Sequence, residues 1–288
     1  MTSAALGVAA ALGSTASWAL CGVLFKKLGE RLDPVGMTTV KSIVAALLLL
    51  PAVLLIGGMG VSGKDLSLLA LSGVVGIAIG DCFFFAALGE LSPLLLTVLL
   101  LTCPNVFTGL LGVLCLGEMP PPAVWCGIAL IMAATAMLAF PLESGSGGRS
   151  TVRGILFGVV SFICSSVSTV IAKPVMTGEA GVSPLTVTFF RMAAGGVALA
   201  AFAMCAGKAA AWAKPFRDGR YAAGFLGVTA VVAFKHLDVV AAGALLSLEP
   251  LFVLPFMAMF GHHRVKPREL IGMALAVGGV LLIALNGN

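Results

Sequence analysis

The sequence predicts an all-α integral membrane protein with ten transmembrane helices, arranged as two inverted-topology repeats of five helices. Of its 288 residues, 60% are hydrophobic and 10% are charged, and the mean hydropathy is +1.13. About 25% of residues are charged in soluble domains, so this composition indicates a chain that lies in lipid. At about 20 residues per crossing, the length has room for about ten spans and for no sizeable soluble domain. A pattern of prolines, glycines and basic residues also occurs twice in the same order.

The predicted spans are apolar runs bounded by charged residues, prolines or glycines. In the first half they cover residues 4–25, 35–57, 66–89, 93–116 and 121–141. In the second half they cover residues 152–172, 184–206, 216–234, 239–260 and 268–286. The eighth is short, because Tyr221 to Phe234 makes only 14 residues. It crosses a bilayer only if Phe216 to Arg220 join it, with Arg217 and Arg220 snorkelling to the interface.

A Gly/Ser-rich stretch, ESGSGGRS at residues 143–150, separates the two halves and predicts a flexible linker. We therefore expect two five-helix repeats, 1–142 and 152–288, joined by a linker at 143–151. Seven pairs of residues match across the halves in order: Gly7 and Gly154, Lys26 and Lys173, Pro34 and Pro184, Lys41 and Arg191, Pro104 and Pro250, Gly117 and Gly261, Gly127 and Gly272. Because each repeat has an odd number of spans, the second crosses the bilayer in the opposite sense.

Polar stripes run along two otherwise apolar spans. In the fourth span, Thr97, Leu101, Asn105, Thr108 and Gly112 are spaced three or four apart, and all of them except Leu101 are polar or small. Such a face lines a wet cavity or packs tightly on a neighbour. The sixth span has a stripe of hydroxyl side chains at Ser161, Ser165, Ser168 and Thr169. Hydroxyls at this spacing are more often helix–helix contacts than ligands. Trp18 is either a cavity aromatic or an interfacial one, and its depth of about 15 residues into the first span favours the cavity. Asn105 and Trp18 are therefore candidate cavity contacts.

Four ionisable residues lie inside predicted spans: Lys41, Asp81, Arg191 and Glu249. Such residues usually face the bundle interior and mark a substrate or ion path. Glu249 precedes Pro250, which leaves a backbone carbonyl without its helical donor. Glu249 either binds a cation or proton or pairs with a buried cation, and Asp81 is either a pathway residue or an ion-pair partner. Lys41 and Arg191 each follow a helix-opening proline by seven residues. They either attract an anionic carboxylate or phosphate, or neutralise Asp81 or Glu249.

Several classes of protein are disfavoured. The seven cysteines lie in apolar segments without a CxxC, and His262 and His263 have no third ligand nearby, so we expect no metal site. No phosphate loop, HExxH or nucleophile elbow is present, so we expect no enzyme and no cofactor. The basic residues occupy separate turns and form no patch for nucleic acid.

The turns between spans differ in charge. Even-numbered turns hold only Lys64, Lys173 and Lys235, whereas odd-numbered turns hold Lys26, Lys27, Arg31, Arg149, Arg153, Lys208, Lys214, Arg217, Arg220, Arg264, Lys266 and Arg268. Because cytoplasmic loops are enriched in Lys and Arg, this distribution predicts that both termini lie outside.

The order of several motifs resembles a known family. The motifs are ASWALCGVLFKKL in the first span, DPVGMTTVK and SPLTVTFFR at the second and seventh, LGE ending the fourth and Leu-Glu-Pro in the ninth. Together with the two five-helix repeats, they resemble the EamA family of drug/metabolite transporters over nearly the whole chain. One departure is His262, which stands where the first repeat has Glu118.

The resemblance implies a ten-span carrier that works by alternating access, with a central cavity lined by the first four spans of each repeat. It implies a small polar metabolite as substrate, similar to an amino acid, a purine or a nucleotide sugar, moved by proton coupling or exchange. It also implies an integral plasma membrane protein with both termini in the cytoplasm, opposite to the charge distribution. The expected partners are the metabolite, protons and the lipid bilayer, with no nucleic acid, and a homodimer stays open. The alternative is a membrane scaffold or partner subunit without transport.

Overall fold

The computed structural model describes residues 16–17, 19–29, 31–100, 122–139, 147–177, 182–208, 212–235, 249–261 and 265–286. Within these residues the regular structure is helical and contains no strand. The helical segments, numbered in chain order, are α1 (19–28), α2 (Pro34–Leu55), α3 (Gly63–Glu90), α4 (93–100), α5 (Pro122–Ala139), α6 (Gly147–Thr177), α7 (Pro184–Cys205), α8 (Gly219–Lys235), α9 (Glu249–Gly261) and α10 (Pro267–Asn286). A 3₁₀ turn, Lys214–Arg217, precedes α8.

Four helices of the described part are long and apolar enough to cross a membrane: Pro34–Leu55, Gly63–Glu90, Val152–Met176 and Pro184–Cys205. They confirm that the fold is all-helical and that the protein is a multi-pass membrane protein. The remaining described segments do not establish the predicted total of ten crossings, which stays a prediction.

Helices α2 and α7 begin and end by the same devices. Each has a proline at its first position, where the missing N–H costs nothing. The side chain of Asp33 caps α2 and that of Ser183 caps α7, each accepting the N–H of the residue three positions on. The turns after them contain Gly57 (φ 67°) and Gly207 (φ 65°), in the left-handed region that glycine adopts at helix ends. These features recur at an offset of 150 residues, the offset of the prolines in the sequence repeat.

The chain divides into two compact units, and each unit takes helices from both halves of the sequence. The first unit comprises Met1–Val23, Ala87–Val159 and Val240–Asn288, and the second comprises Leu24–Ala86 and Val160–Val239. In the first unit, α5, α9 and α10 share a core with the described parts of α1 and α4 that contains Val23, Leu94, Val98, Ile131, Val253, Met257 and Ala276. The guanidinium group of Arg268 on α10 donates to the backbone carbonyl of Met137 on α5.

In the second unit, α7 packs between α2 and α3. Its Gly196 lies against Ile43 of α2, and its Gly195 lies against the backbone carbonyl of Gly73 and the side chain of Ile77 in α3. The apolar core around this contact contains Ala45, Leu49, Val53, Ile77, Phe189 and Met192. Because glycine has no side chain, α7 approaches both neighbours closely, as is common in membrane bundles.

Two boundaries differ from the sequence prediction. Helix α6 already begins at Gly147, so residues 147–150 of the predicted linker are helical. Helix α8 begins at Gly219, and Phe216 and Arg217 belong to the separate 3₁₀ turn. The reason is Asp218, whose carboxylate accepts the N–H groups of Arg220 and Tyr221 and so starts a new helix. Of the predicted extension, Gly219 and Arg220 are therefore helical, whereas a continuous helix from Phe216 is wrong.

Asp218 also ties the start of α8 to the turn before α2. Its carboxylate accepts a hydrogen bond of 2.7 Å from Arg31, whose guanidinium group lies 5.1 Å from the centre of the Tyr221 ring. The Tyr221 hydroxyl donates to the carbonyl of Leu28 at 2.9 Å. The hydrogen bond from Arg31, followed by the backbone N–H groups of Arg220 and Tyr221, holds the pKa of Asp218 below its ordinary value of 3.8.

This lowered pKa predicts a small pH-dependent contribution to stability. A carboxylate whose folded pKa is depressed stabilises the fold above its unfolded pKa, and this stabilisation is lost as the pH falls through the folded pKa. Asp218→Asn should therefore lower the melting temperature slightly at about pH 7, and the difference from wild type should shrink towards about pH 3. Arg31→Gln should reproduce part of this dependence. A difference that does not change with pH would contradict this role of the carboxylate.

Candidate functional site

The four helices of spanning length contribute polar residues to one cluster in the second unit, here called the polar centre. It comprises Lys41 on α2, Ser72 and Asp81 on α3, Ser168 on α6 and Arg191 on α7. Lys41 and Arg191 are each the eighth residue of a 22-residue helix. At a rise of about 1.5 Å per residue, each lies about 10 Å inside its helix end. The polar centre therefore lies well inside the spanning segments.

Lys41 and Asp81 form a direct ion pair. The Nζ atom of Lys41 donates to Oδ2 of Asp81, and the same ammonium group lies 5.5 Å from the centre of the Phe85 ring. The side chain of Lys41 is 7% exposed and that of Asp81 is 29% exposed. Removing two charges from water costs several kcal/mol per ion, and the pair offsets this only while both partners are present. The structure therefore shows Lys41 and Asp81 as ion-pair partners, and a role of either residue in a substrate or ion path stays a prediction.

Arg191 makes a different set of contacts. One amino group of its guanidinium donates to the hydroxyl of Ser168 at 2.8 Å. The Ser168 hydroxyl donates to the carbonyl of Ser72 at 2.7 Å, and the Ser72 hydroxyl donates to the carbonyl of Ser168 at 2.8 Å. Asp81 acts on Arg191 electrostatically, yet within the described ranges no carboxylate lies within salt-bridge distance of it. Its Nε atom is buried and has no acceptor among those residues.

The middle of α3 is a π-helical segment, Gly73–Asp81, that ends at the paired carboxylate. Three of its glycines allow close packing: Gly73 lies against the backbone of Arg191, Gly76 against Ser168, and Gly80 against Cys164 at 3.2 Å from the position of a Cβ. Segments of π-helix are rare and occur frequently at functional sites. The glycine spacing is visible in the sequence, but the π-helical geometry has no sequence signature and was not predicted.

The structure brings together three of the six predicted pathway residues, namely Lys41, Asp81 and Arg191. Glu249 is the first described residue of α9, and its side chain lies outside the described part, as do Trp18 and Asn105. Ser72 was not predicted. A lone serine in a leucine-rich helix often only caps the helix or packs against a neighbour, so its sequence context does not mark it as a site residue.

The described ranges contain no group of side chains arranged for metal or cofactor chemistry. Within them, no three His, Cys, Asp or Glu side chains are grouped so as to hold a metal ion. The described cysteines, at positions 21, 82, 126, 164 and 205, are free thiols. What the polar centre offers chemically is therefore charge and hydrogen bonding.

Comparison with known proteins gives a family and a fold. The model of the family described as "EamA-like transporter family" matches residues 5–140 and 152–285. A solved structure described as "Crystal structure of protein" is 20% identical and has a TM-score of 0.65, with 95% of each chain covered. At that identity the similarity extends to the fold alone. No curated protein matches the chain.

Proposed function

The chain belongs to the EamA-like transporter family, and from this premise we propose that it is a secondary active transporter of a small polar metabolite that works by alternating access. The family match makes it a multi-pass membrane protein of the drug/metabolite transporter superfamily. The observation that supports a transport path is the polar centre, because two cations and a carboxylate lie within helices of spanning length. Charges at such depth are costly, and where they occur they mark substrate or ion paths.

We propose ten crossings in two inverted repeats. The helices α2 and α7 support this, since they share capping devices at a constant offset. They also run antiparallel, because Gly58 after the end of α2 lies against Thr186 near the start of α7. Fifteen residues before Gly58, Ile43 in the middle of α2 lies against Gly196 in the middle of α7. Equivalent helices of inverted repeats cross the membrane in opposite senses, and the antiparallel packing of α2 and α7 supports this arrangement.

In the proposed cycle, the Lys41–Asp81 ion pair is intact in one access state and separated in the other. The pair is stable in a dry interior only while it is intact, so an opening that separates α2 from α3 must admit water or solute to it. Protons or exchange supply the driving force, with Asp81 and Glu249 as the candidate coupling carboxylates. The six proposed pathway residues are Lys41, Asp81, Asn105, Arg191, Glu249 and Trp18.

The proposed location is the plasma membrane. The Lys and Arg distribution favours both termini outside, and the family resemblance favours both inside, so the two orientations stay open. The proposed partners are the metabolite, protons and lipid, and a homodimer stays open.

Solute flux from the purified full chain in liposomes tests the function. Vesicles loaded with an unlabelled amino acid, purine or nucleotide sugar are diluted into the same labelled compound, and counterflow is followed with time. We expect saturable accumulation for one class above the level of protein-free liposomes. A pH gradient should alter net uptake if protons are coupled. Absence of flux for every class, from protein with a cooperative unfolding transition, would contradict transport and favour the scaffold alternative.

A further inference from the structure

The polar centre carries more positive than negative charge. Its ionisable members are Lys41, Asp81 and Arg191, which gives two cations and one carboxylate among the described residues. Lys41 uses this carboxylate directly, so among the described residues Arg191 has no carboxylate in contact and donates instead to the neutral hydroxyl of Ser168. A cation that is partly removed from water, with no anionic group in contact, is costly unless a ligand supplies the partner.

The guanidinium group of Arg191 is held in place before any ligand arrives. Ser168, which accepts its hydrogen bond, is fully buried and fixed by reciprocal hydrogen bonds with Ser72. Gly76 lies beside the same amino group, 3.3 Å from the position of a Cβ. Fixing a donor beforehand reduces the entropy lost when a ligand binds.

The donor set of Arg191 is also incomplete. Its Nε atom has no acceptor within the described helices, and the residue as a whole is only partly buried. The planar fork of arginine binds a carboxylate or phosphate through two parallel hydrogen bonds, which the single ammonium group of a lysine does not offer. Lys41, which is already paired, lacks both the free charge and this geometry.

We propose that Arg191 binds the anionic group, a carboxylate or a phosphate, of the solute, while Lys41 remains the partner of Asp81. The statement that this solute is transported rests on the proposed function, whereas the binding does not. This distinguishes two cations that the sequence pattern left equivalent: Lys41 pairs with Asp81 within the protein, and Arg191 recognises the ligand. It also narrows the substrate class from polar metabolites to those with an anionic group.

Matched pairs of compounds test this by binding, without any requirement for flux. The full chain in detergent is heated with glutamate or glutamine, adenosine monophosphate or adenosine, and acetate or acetamide. Within a pair, the compounds differ in the anionic group. We expect the anionic member of at least one pair to raise the melting temperature by mass action. Arg191→Gln should weaken that binding by about 10- to 100-fold, as expected for a charge-assisted hydrogen bond.

Two further variants make the result interpretable. Arg191→Lys keeps the charge and loses the fork, so it should retain a weakened preference for the anion even if Arg191→Gln folds poorly. Arg217→Gln removes an exposed cation of the 3₁₀ turn and should bind as wild type does. The proposal is overturned if wild type shows no anionic preference in any pair, or if both Arg191 variants keep the full preference. Loss of counterflow with retained anion binding would count against transport and leave the anion site standing.

Discussion

Asp81→Asn is expected to destabilise the folded protein by about 3–5 kcal/mol, because it leaves Lys41 as a buried cation without its partner. Lys41 is only 7% exposed, and Asp81 is the carboxylate that accepts its ammonium hydrogen bond. The Phe85 ring near the ammonium group offers at most a weak substitute. The loss should appear as a lower melting temperature of the purified chain and a lower midpoint in denaturant.

Removing both charges at once should restore much of that stability. Replacing a buried ion pair by neutral groups of similar volume is often close to neutral, so Lys41→Met combined with Asp81→Asn should unfold within about 1 kcal/mol of wild type. Glu90→Gln is the matched control, because the Glu90 side chain is 27% exposed, much as Asp81 is, but its pair with Arg153 is 3.8 Å long and Arg153 is 67% exposed. Pairs with a solvated partner contribute about 0–1 kcal/mol. If Asp81→Asn were as mild as Glu90→Gln, the pair would not stabilise the fold.

Gly73→Ala is expected to destabilise the protein by about 1–3 kcal/mol through overpacking between α3 and α7. A Cβ at this position would overlap the backbone carbonyl oxygen of Arg191 and lie 3.0 Å from its Cα. Backbone atoms cannot rotate away as a side chain can, so α7 must shift. The shift should also weaken anion binding by Arg191, and thermal unfolding with and without the anion measures both effects.

The control for this substitution lies in the same helix. Among the described residues, no atom outside the adjoining backbone of α3 lies within 4 Å of a Cβ placed on Gly89. Gly89→Ala should therefore be neutral or slightly stabilising, since alanine favours a helix by about 1 kcal/mol over glycine. Equal effects of the two substitutions would show that helical propensity, and not the contact with α7, decides the outcome at Gly73.

The ends of α2 and α7 were predictable from sequence because they depend on local chemistry. A proline after Asp33 or Ser183 starts each helix, and the charged or small residues that follow end it. The fold class was also predictable, because an apolar run long enough to span a bilayer is typical of a transmembrane helix.

The partners within the polar centre could not be predicted, because they depend on how distant helices pack. Lys41 and Asp81 are 40 residues apart, and Arg191 and Ser168 are 23 apart. The sequence left Asp81 and Glu249 equally available to both cations. The π-helical segment that ends at Asp81 decides which face the carboxylate occupies, and helical periodicity of 3.6 residues does not reveal it.

Counterflow through the Lys41→Met, Asp81→Asn double variant tests the central claim most directly. This variant should fold nearly as well as wild type, so its melting temperature reports that the helices are intact. We predict that its flux falls to the level of protein-free liposomes, because the pair that forms and breaks between access states is gone. Wild-type flux from the folded double variant would contradict the account and reduce the Lys41–Asp81 pair to a dispensable structural contact.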